Sequence, residues 1–318
     1  MAQAPSILTS SGDVSLARDL IALSKMGITR MVLVATAVGF ALAAMQRAWA
    51  TPELLLTLLW CLVGTGLSSA GANALNQSVE FRRDARMRRT CERPMATGRV
   101  SVAMGTSFGL VCSIGGLAIL WVGTNVAAML VSLAIIVTYV VVYTPLKPLT
   151  IFSTHAGAIP GALPPLIGFA AAWPTSEMSV WSGLAHPAGW CIVAIVLVWQ
   201  LPHFMAIAWL YREDYANAGH RILSVIDESG ERTSTLALRW LALLAPVSIV
   251  PVFVDPVTFG PLYATGASLL WLVFAVAALR FRATLSEKDA RTMFYASIIY
   301  LPALMIVMVL DASIRLLF

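Results

Sequence analysis

An all-α polytopic membrane protein is the fold class this sequence predicts, a single bundle of nine transmembrane helices with a cytoplasmic N-terminus. Three observations predict it. Of 318 residues, 59% are hydrophobic and only 12% charged, with a mean hydropathy of +0.82, where soluble domains carry roughly 25% charged residues. The apolar residues come in helix-length runs rather than in alternation, which excludes an outer-membrane barrel. Finally, 19 of the 21 lysines and arginines fall on one side once the tail and every second connection are assigned to the cytoplasm. The formal charge of +5 is thus topological and gives no reason to invoke nucleic acid.

The elements follow in order. Residues 1–27 read as a polar tail with a short amphipathic approach over 16–26. Nine apolar segments come next, at 28–46, 53–75, 101–121, 125–143, 155–172, 189–209, 236–254, 258–280 and 292–317. Each is close to the ~20 residues that cross ~30 Å of hydrocarbon. Small residues recur in the second and third (Gly64, Gly66, Gly71; Gly105, Gly109, Gly115, Gly116), which lets helices approach closely in lipid. Pro160, Pro164 and Pro165 interrupt the fifth, and broken membrane helices line cavities where the freed carbonyls can be satisfied. No linker divides the chain, so 1–318 reads as one domain. Cys61, Cys91, Cys112 and Cys191 are scattered and form neither a disulfide framework nor a thiolate metal site.

The stretch Asn76–Pro94 is the densest charge cluster. If the second apolar helix continues, Asn76, Glu80 and Asp84 stack on one face at i, i+4 and i+8. Two carboxylates and a carboxamide form an all-oxygen site of the kind that suits Mg²⁺ bridging protein to phosphate. Arg82, Arg83, Arg86, Arg88, Arg89 and Arg93 are planar forks that match phosphate oxygens. A solvated basic loop that only fixes orientation remains the alternative. Two further connections on the same side, Tyr143–Thr150 and Tyr211–Gly219, can converge with it and bring Lys147, Arg212, Glu213 and Asp214.

These blocks resemble the UbiA-type intramembrane prenyltransferases, and within them the protohaem farnesyltransferase (haem O synthase) branch. The similarity rests on Asn76-x3-Glu80-x3-Asp84-x2-Met87-x-Arg89-Thr90-x2-Arg93-Pro94, on Tyr143-Thr-Pro-Leu-Lys147, on Gly157-Ala-Ile-Pro-Gly161-Ala-Leu-Pro164-Pro165-Leu-Ile-Gly168, and on Trp199-Gln-Leu-Pro202-His203-Phe204 running to Arg212-Glu-Asp-Tyr215-x3-Gly219. Together these span about 145 residues. The resemblance implies a UbiA-like bundle with a central cavity open to the cytoplasmic face and laterally to lipid. It implies Mg²⁺-dependent transfer of a farnesyl group from farnesyl diphosphate to a vinyl group of haem B, giving haem O, with haem A synthase as a further partner. Two departures stand out: Glu80 replaces a more usual Asp, and the usually apolar residues around His220 are polar here (Gly219-His220-Arg221).

On this reading Glu80, Asp84, Glu213 and Asp214 are metal ligands, with Asn76 orienting a ligand or a metal-bound water. Arg89, Arg93, Lys147 and Arg212 clamp the diphosphate. Tyr139, Tyr143, Phe204, Trp209, Tyr211 and Tyr215 are the aromatics at the right depth to meet substrate, or else an interfacial belt. His203 and His155 are candidates for substrate contact or haem ligation; His186 and His220 read as bland. The alternatives are a prenyltransferase acting on an aromatic quinone precursor, a transporter, or a haem-binding subunit without transfer activity. No leader is legible in the first 25 residues, so a bacterial inner membrane is expected ahead of a mitochondrial one.

Overall fold

The computed structural model describes residues 16–46, 52–173 and 181–317; most of the predicted tail and Arg47 lie outside them. All regular structure among the described residues is helical. Apart from two four-residue turns at Ser182–Ala185 and Leu223–Ile226, the helices in chain order are α1 (Leu16–Leu23), α2 (Met26–Met45), α3 (Pro52–Asp84) and α4 (Val102–Gly123). Then come α5 (Val126–Leu146), α6 (Ser153–Ala162), α7 (Pro164–Ala171), α8 (Pro187–Leu210), α9 (Arg212–Asn217), α10 (Glu231–Val254), α11 (Pro261–Thr284) and α12 (Glu287–Leu317). Among the described residues eight helices are long and apolar enough to cross a membrane: α2 to α5, α8 and α10 to α12. The fifth predicted segment is instead the tandem pair α6–α7, because Pro164 and Pro165 restart the helix after Leu163 and supply no N–H to the turn before.

Polar side chains of neighbouring helices bond carbonyls on both sides of the break. Thr36 Oγ1 donates to the Pro164 carbonyl at 3.1 Å and Gln200 Nε2 to the Ala158 carbonyl at 3.3 Å. Asn125, which also caps α5, donates to the carbonyls of Ala170 and Trp173 at 2.8 and 3.1 Å. Each partner replaces a bond that water cannot make inside a bilayer.

The helices lie close because small residues face one another. A Cβ on Gly168 would sit inside the Thr36 carbonyl, and one on Gly39 inside the Pro165 carbonyl, so α2 and α7 touch backbone to backbone. Gly71 against Ser113 and Gly116 against Ser68 make the same kind of seam between α3 and α4. Gly168→Ala is therefore expected to lower the unfolding midpoint of the purified protein, by roughly 1–3 kcal/mol of overpacking. An unchanged midpoint would show that the seam can part without loss.

α8 is the central helix: 67% of its apolar window is buried, where no other span exceeds 39%. α5 changes pitch over Thr138–Tyr143, which winds as a π-helix. Pro145 has no N–H to return to the turn before it, so the chain widens. The N–H of Thr144 and its hydroxyl both bond the Tyr139 carbonyl, the latter at 2.8 Å. The ends of α3, α5 and α8 and the starts of α2 and α6 meet at one end of the bundle, and there the polar residues collect.

Candidate active site

α3 runs unbroken to Asp84, so Asn76, Glu80 and Asp84 stand on successive turns of one face, each no more than 4% exposed. The Asn76 amide nitrogen donates to Glu80 Oε2 and to Thr144 Oγ1, both at 2.9 Å. Lys147, just past α5, lies 2.9 Å from Glu80 Oε2 and 2.8 Å from Oε1, with its ammonium 4.6 Å above the Tyr143 ring. Burial works against the charge of Lys147, but Tyr143 and Glu80 beside it more than offset this and hold its pKa above the ordinary lysine range.

After Asp84 the chain folds back through Thr90, whose hydroxyl donates to the Asp84 carbonyl at 2.8 Å. This turn returns Arg93 to Asp84, at 2.7 Å between Nη1 and Oδ2. Asp214, on α9, accepts the backbone N–H groups of Arg88 and Arg89 at 3.4 and 3.3 Å. Acids from two distant parts of the chain are thereby tied to one loop.

A cavity of about 790 Å³ opens from this cluster. Its polar mouth is lined by Lys25, Arg89, Arg93 and Lys147 against Glu80 and Asp84, so basic groups outnumber acidic ones. Further in, the walls are apolar and aromatic, with Trp199, His203, Phe204, Phe294, Ile298 and Met305. Tyr139 and Tyr143 stack between the two regions at 5.7 Å. His203 is held between Trp199 and Phe294, at 5.0 and 5.3 Å between ring centres. Its Nδ1 lies 2.7 Å from Ser297 Oγ, whose own proton is directed to the Phe294 carbonyl at 2.6 Å. Ser297 must then accept from Nδ1–H, which leaves Nε2 with the lone pair.

With this geometry in hand, comparison with known proteins is decisive. The profile of the UbiA prenyltransferase family matches residues 32–299. The chain belongs to that family. The protoheme IX farnesyltransferase of Solibacter usitatus is 38% identical over 298 residues, covering 92% of this chain and 98% of the relative. Among solved structures, digeranylgeranylglyceryl phosphate synthase in membranes aligns with a TM-score of 0.74 at 13% identity, covering 93% of this chain and 98% of that one. A UbiA homolog from Archaeoglobus fulgidus, bound to GPP and Mg²⁺, aligns at 0.57 and 13% identity, covering 91% and 99%. These alignments place the fold among UbiA-type bundles.

The UbiA-type cavity mouth suits a hard cation. Glu80 and Asp84 offer only oxygen donors, and Glu80 Oε1 is buried without a directed hydrogen bond, although Lys147 lies close by. Among the described residues, no three acidic, histidine or cysteine side chains gather into a cage of their own.

Of the residues singled out from sequence, Glu80, Asp84, Arg89, Arg93, Lys147, Tyr143, His203, Phe204 and Tyr215 line the one cavity. Asn76 stands behind Glu80 and fixes its orientation. Asp214 lies just outside the lining, under the loop it pins. Three expected residues are turned away. Glu213 is exposed because its neighbour Asp214 takes the buried face of the six-residue α9. Arg212 stacks over Trp209 at 4.6 Å and pairs with Glu287 at 3.5 Å. His155 faces Phe152 and Trp240, with ring centres at 6.0 and 5.7 Å, on the far side of α6. Of the aromatics, Trp209 packs on Phe281, and Tyr211 is exposed beneath the Arg89 guanidinium.

Two cavity residues escaped the sequence reading. They are Lys25, which the sequence offers only as one of the basic residues on the cytoplasmic side, and His220, which reads as bland. Lys25 occupies the turn between α1 and α2 in a left-handed conformation (φ 45°). Gln77 and Asn73 pin that turn through the carbonyls of Leu23 and Ser24, at 2.7 and 3.3 Å. Its ammonium donates to Asn76 Oδ1 at 2.6 Å and reaches the Tyr139 hydroxyl at 3.4 Å. Burial, with the nearby charges of Arg93 and Lys147, pulls its pKa down to about 7.

Proposed function

We propose that this chain transfers a farnesyl group from farnesyl diphosphate to a vinyl carbon of haem B, giving haem O, with the cavity mouth facing the cytoplasm of a bacterial cell. The supporting observation is the continuity of one cavity. A basic, carboxylate-bearing mouth leads past two stacked tyrosines into an apolar aromatic chamber, which suits a diphosphate head, a reacting allylic carbon and two large apolar substrates. The name of the relatives, protoheme IX farnesyltransferase, supports the choice of acceptor, and the lysine–arginine asymmetry supports the orientation.

Magnesium held by Glu80 and Asp84, with Asp214 close by, would neutralise the diphosphate as it leaves. Lys147, Arg93 and Arg89 add fixed positive charge at the same place in a site shielded from water. The faces of Tyr139 and Tyr143 offer π-density to the allylic carbon as it becomes electron-poor. The apolar chamber keeps water away from it until the terminal vinyl carbon has bonded; water then adds to the cation left on the carbon next to the porphyrin, giving the hydroxyl of haem O, and the proton it loses leaves with the diphosphate. His203, locked by Ser297 with its Nε2 lone pair free, is the residue placed to ligate the iron or hold the porphyrin. Haem A synthase is the natural recipient of the product.

The deciding assay uses purified protein in lipid with haem B, labelled farnesyl diphosphate and Mg²⁺. Label should appear on haem, and chelation should stop it. Label on a hydroxybenzoate instead of haem would replace this reading with that of a quinone-pathway enzyme. A finer check is His203→Ala, for which the haem dissociation constant should rise about tenfold, equivalent to 1.4 kcal/mol. Affinity for farnesyl diphosphate should stay near wild type, and titration of the haem absorbance band reads the difference.

A further inference from the structure

His220 has no part in the chemistry above, yet it lines the same cavity mouth and is only 5% exposed. Its position comes from the end of α9. Gly219 takes a left-handed conformation (φ 71°), its N–H bonds the Ala216 carbonyl at 2.9 Å, and the His220 N–H bonds the Tyr215 carbonyl at 2.9 Å. This is the Schellman ending, in which the residue after the glycine folds back onto the helix, commonly through an apolar contact with the third residue from the end. Here that contact is the His220 ring edge-on to Tyr215, 5.8 Å between centres. The next residue is fixed as well, since the Arg221 N–H bonds the Lys147 carbonyl at 2.9 Å. The imidazole is therefore held beside the lysine that anchors Glu80.

An apolar side chain would complete this ending with no polar group to satisfy. His220 instead buries Nδ1 with no hydrogen-bond partner, a loss of roughly 1–3 kcal/mol for an unmet polar group. Burial, and next the charge of Lys147, push its pKa down to about 4, so near neutral pH the ring is uncharged. A neutral imidazole keeps one N–H to donate.

We infer that His220 is a positioning residue for the diphosphate, giving it a directional hydrogen bond beside the charge of Lys147 and Arg93. The inference rests on the prenyl-diphosphate reading of this cavity. It assigns the residue a task that the point charge of Lys147 performs poorly, fixing how the head group is turned rather than how strongly it is attracted.

The test is binding of inorganic pyrophosphate with Mg²⁺ to the full-length protein by calorimetry, with no haem present, alongside farnesyl transfer kinetics. His220→Phe keeps a ring on Tyr215 and removes the nitrogens. It should weaken pyrophosphate binding about tenfold and raise KM for farnesyl diphosphate similarly, leaving KM for haem unchanged. His220→Asn restores a side-chain N–H at this position and should recover much of the loss, which a purely structural ring would not allow. Should the phenylalanine variant fail to fold, His220→Leu and His220→Asn give the same contrast. Unchanged pyrophosphate affinity in a folded His220→Phe protein, or no recovery in His220→Asn, overturns the role of His220 and leaves the proposed function standing. Absence of pyrophosphate binding by the wild type would overturn both.

Discussion

Asp84→Asn is expected to leave a folded protein whose kcat for transfer is lower by about 10³-fold, the scale of losing a fixed electrostatic contact at a developing charge. The fold should survive because of who is left behind. Arg93, the partner of Asp84, is 25% exposed at its side chain and can turn to water. The asparagine keeps the shape of the carboxylate and loses only its charge. Haem binding should be unaffected, since the apolar chamber lies further in. A variant that retains more than a tenth of wild-type turnover at saturating Mg²⁺ would remove Asp84 from the site.

Lys147→Met should act first on stability. It removes the cation beside Glu80, whose side chain is only 6% exposed, and breaking a buried pair from one side costs roughly 3–5 kcal/mol. The diagnostic comparison is the double variant Glu80→Gln, Lys147→Met. With neither charge present, the unfolding midpoint should return most of the way to wild type, while transfer stays abolished in both proteins. If the single variant unfolds where the wild type does, or the double variant is no more stable than the single, Glu80 and Lys147 are not the coupled pair that the 2.8 Å separation indicates.

Much of this architecture was legible because membrane helices announce themselves by length and composition. Eight of the nine predicted segments correspond to long helices with ends shifted by a few residues. The largest shift, the continuation of α3 to Asp84, was conditional on polar residues remaining helical, which they do because their side chains find partners on other elements. The fifth segment was read as one interrupted stretch and is two helices. Its prolines marked the break, but Thr36 and Gln200, which bond carbonyls on either side of it, lie far away in sequence.

In the site, periodicity alone stacked Asn76, Glu80 and Asp84. It could not separate Glu213 from Asp214, because adjacent helical residues face about 100° apart and nothing local says which one is buried. Lys25 and His220 were invisible for a related reason. Each sits in a left-handed or glycine-assisted turn whose direction depends on what it packs against. For Lys25 this means Asn73 and Gln77; for His220, Tyr215 and the Lys147 carbonyl.

The π-helical turn in α5 absorbs an extra residue within the winding, which rotates everything before it by about 100° relative to an uninterrupted helix. The upstream part of α5 and the Tyr143–Lys147 end are thus in separate phases, joined at a joint that tolerates slack. Ser132 and Ile135 line the chamber from the upstream part, so its wall and the charged mouth are set by separate registers of one helix.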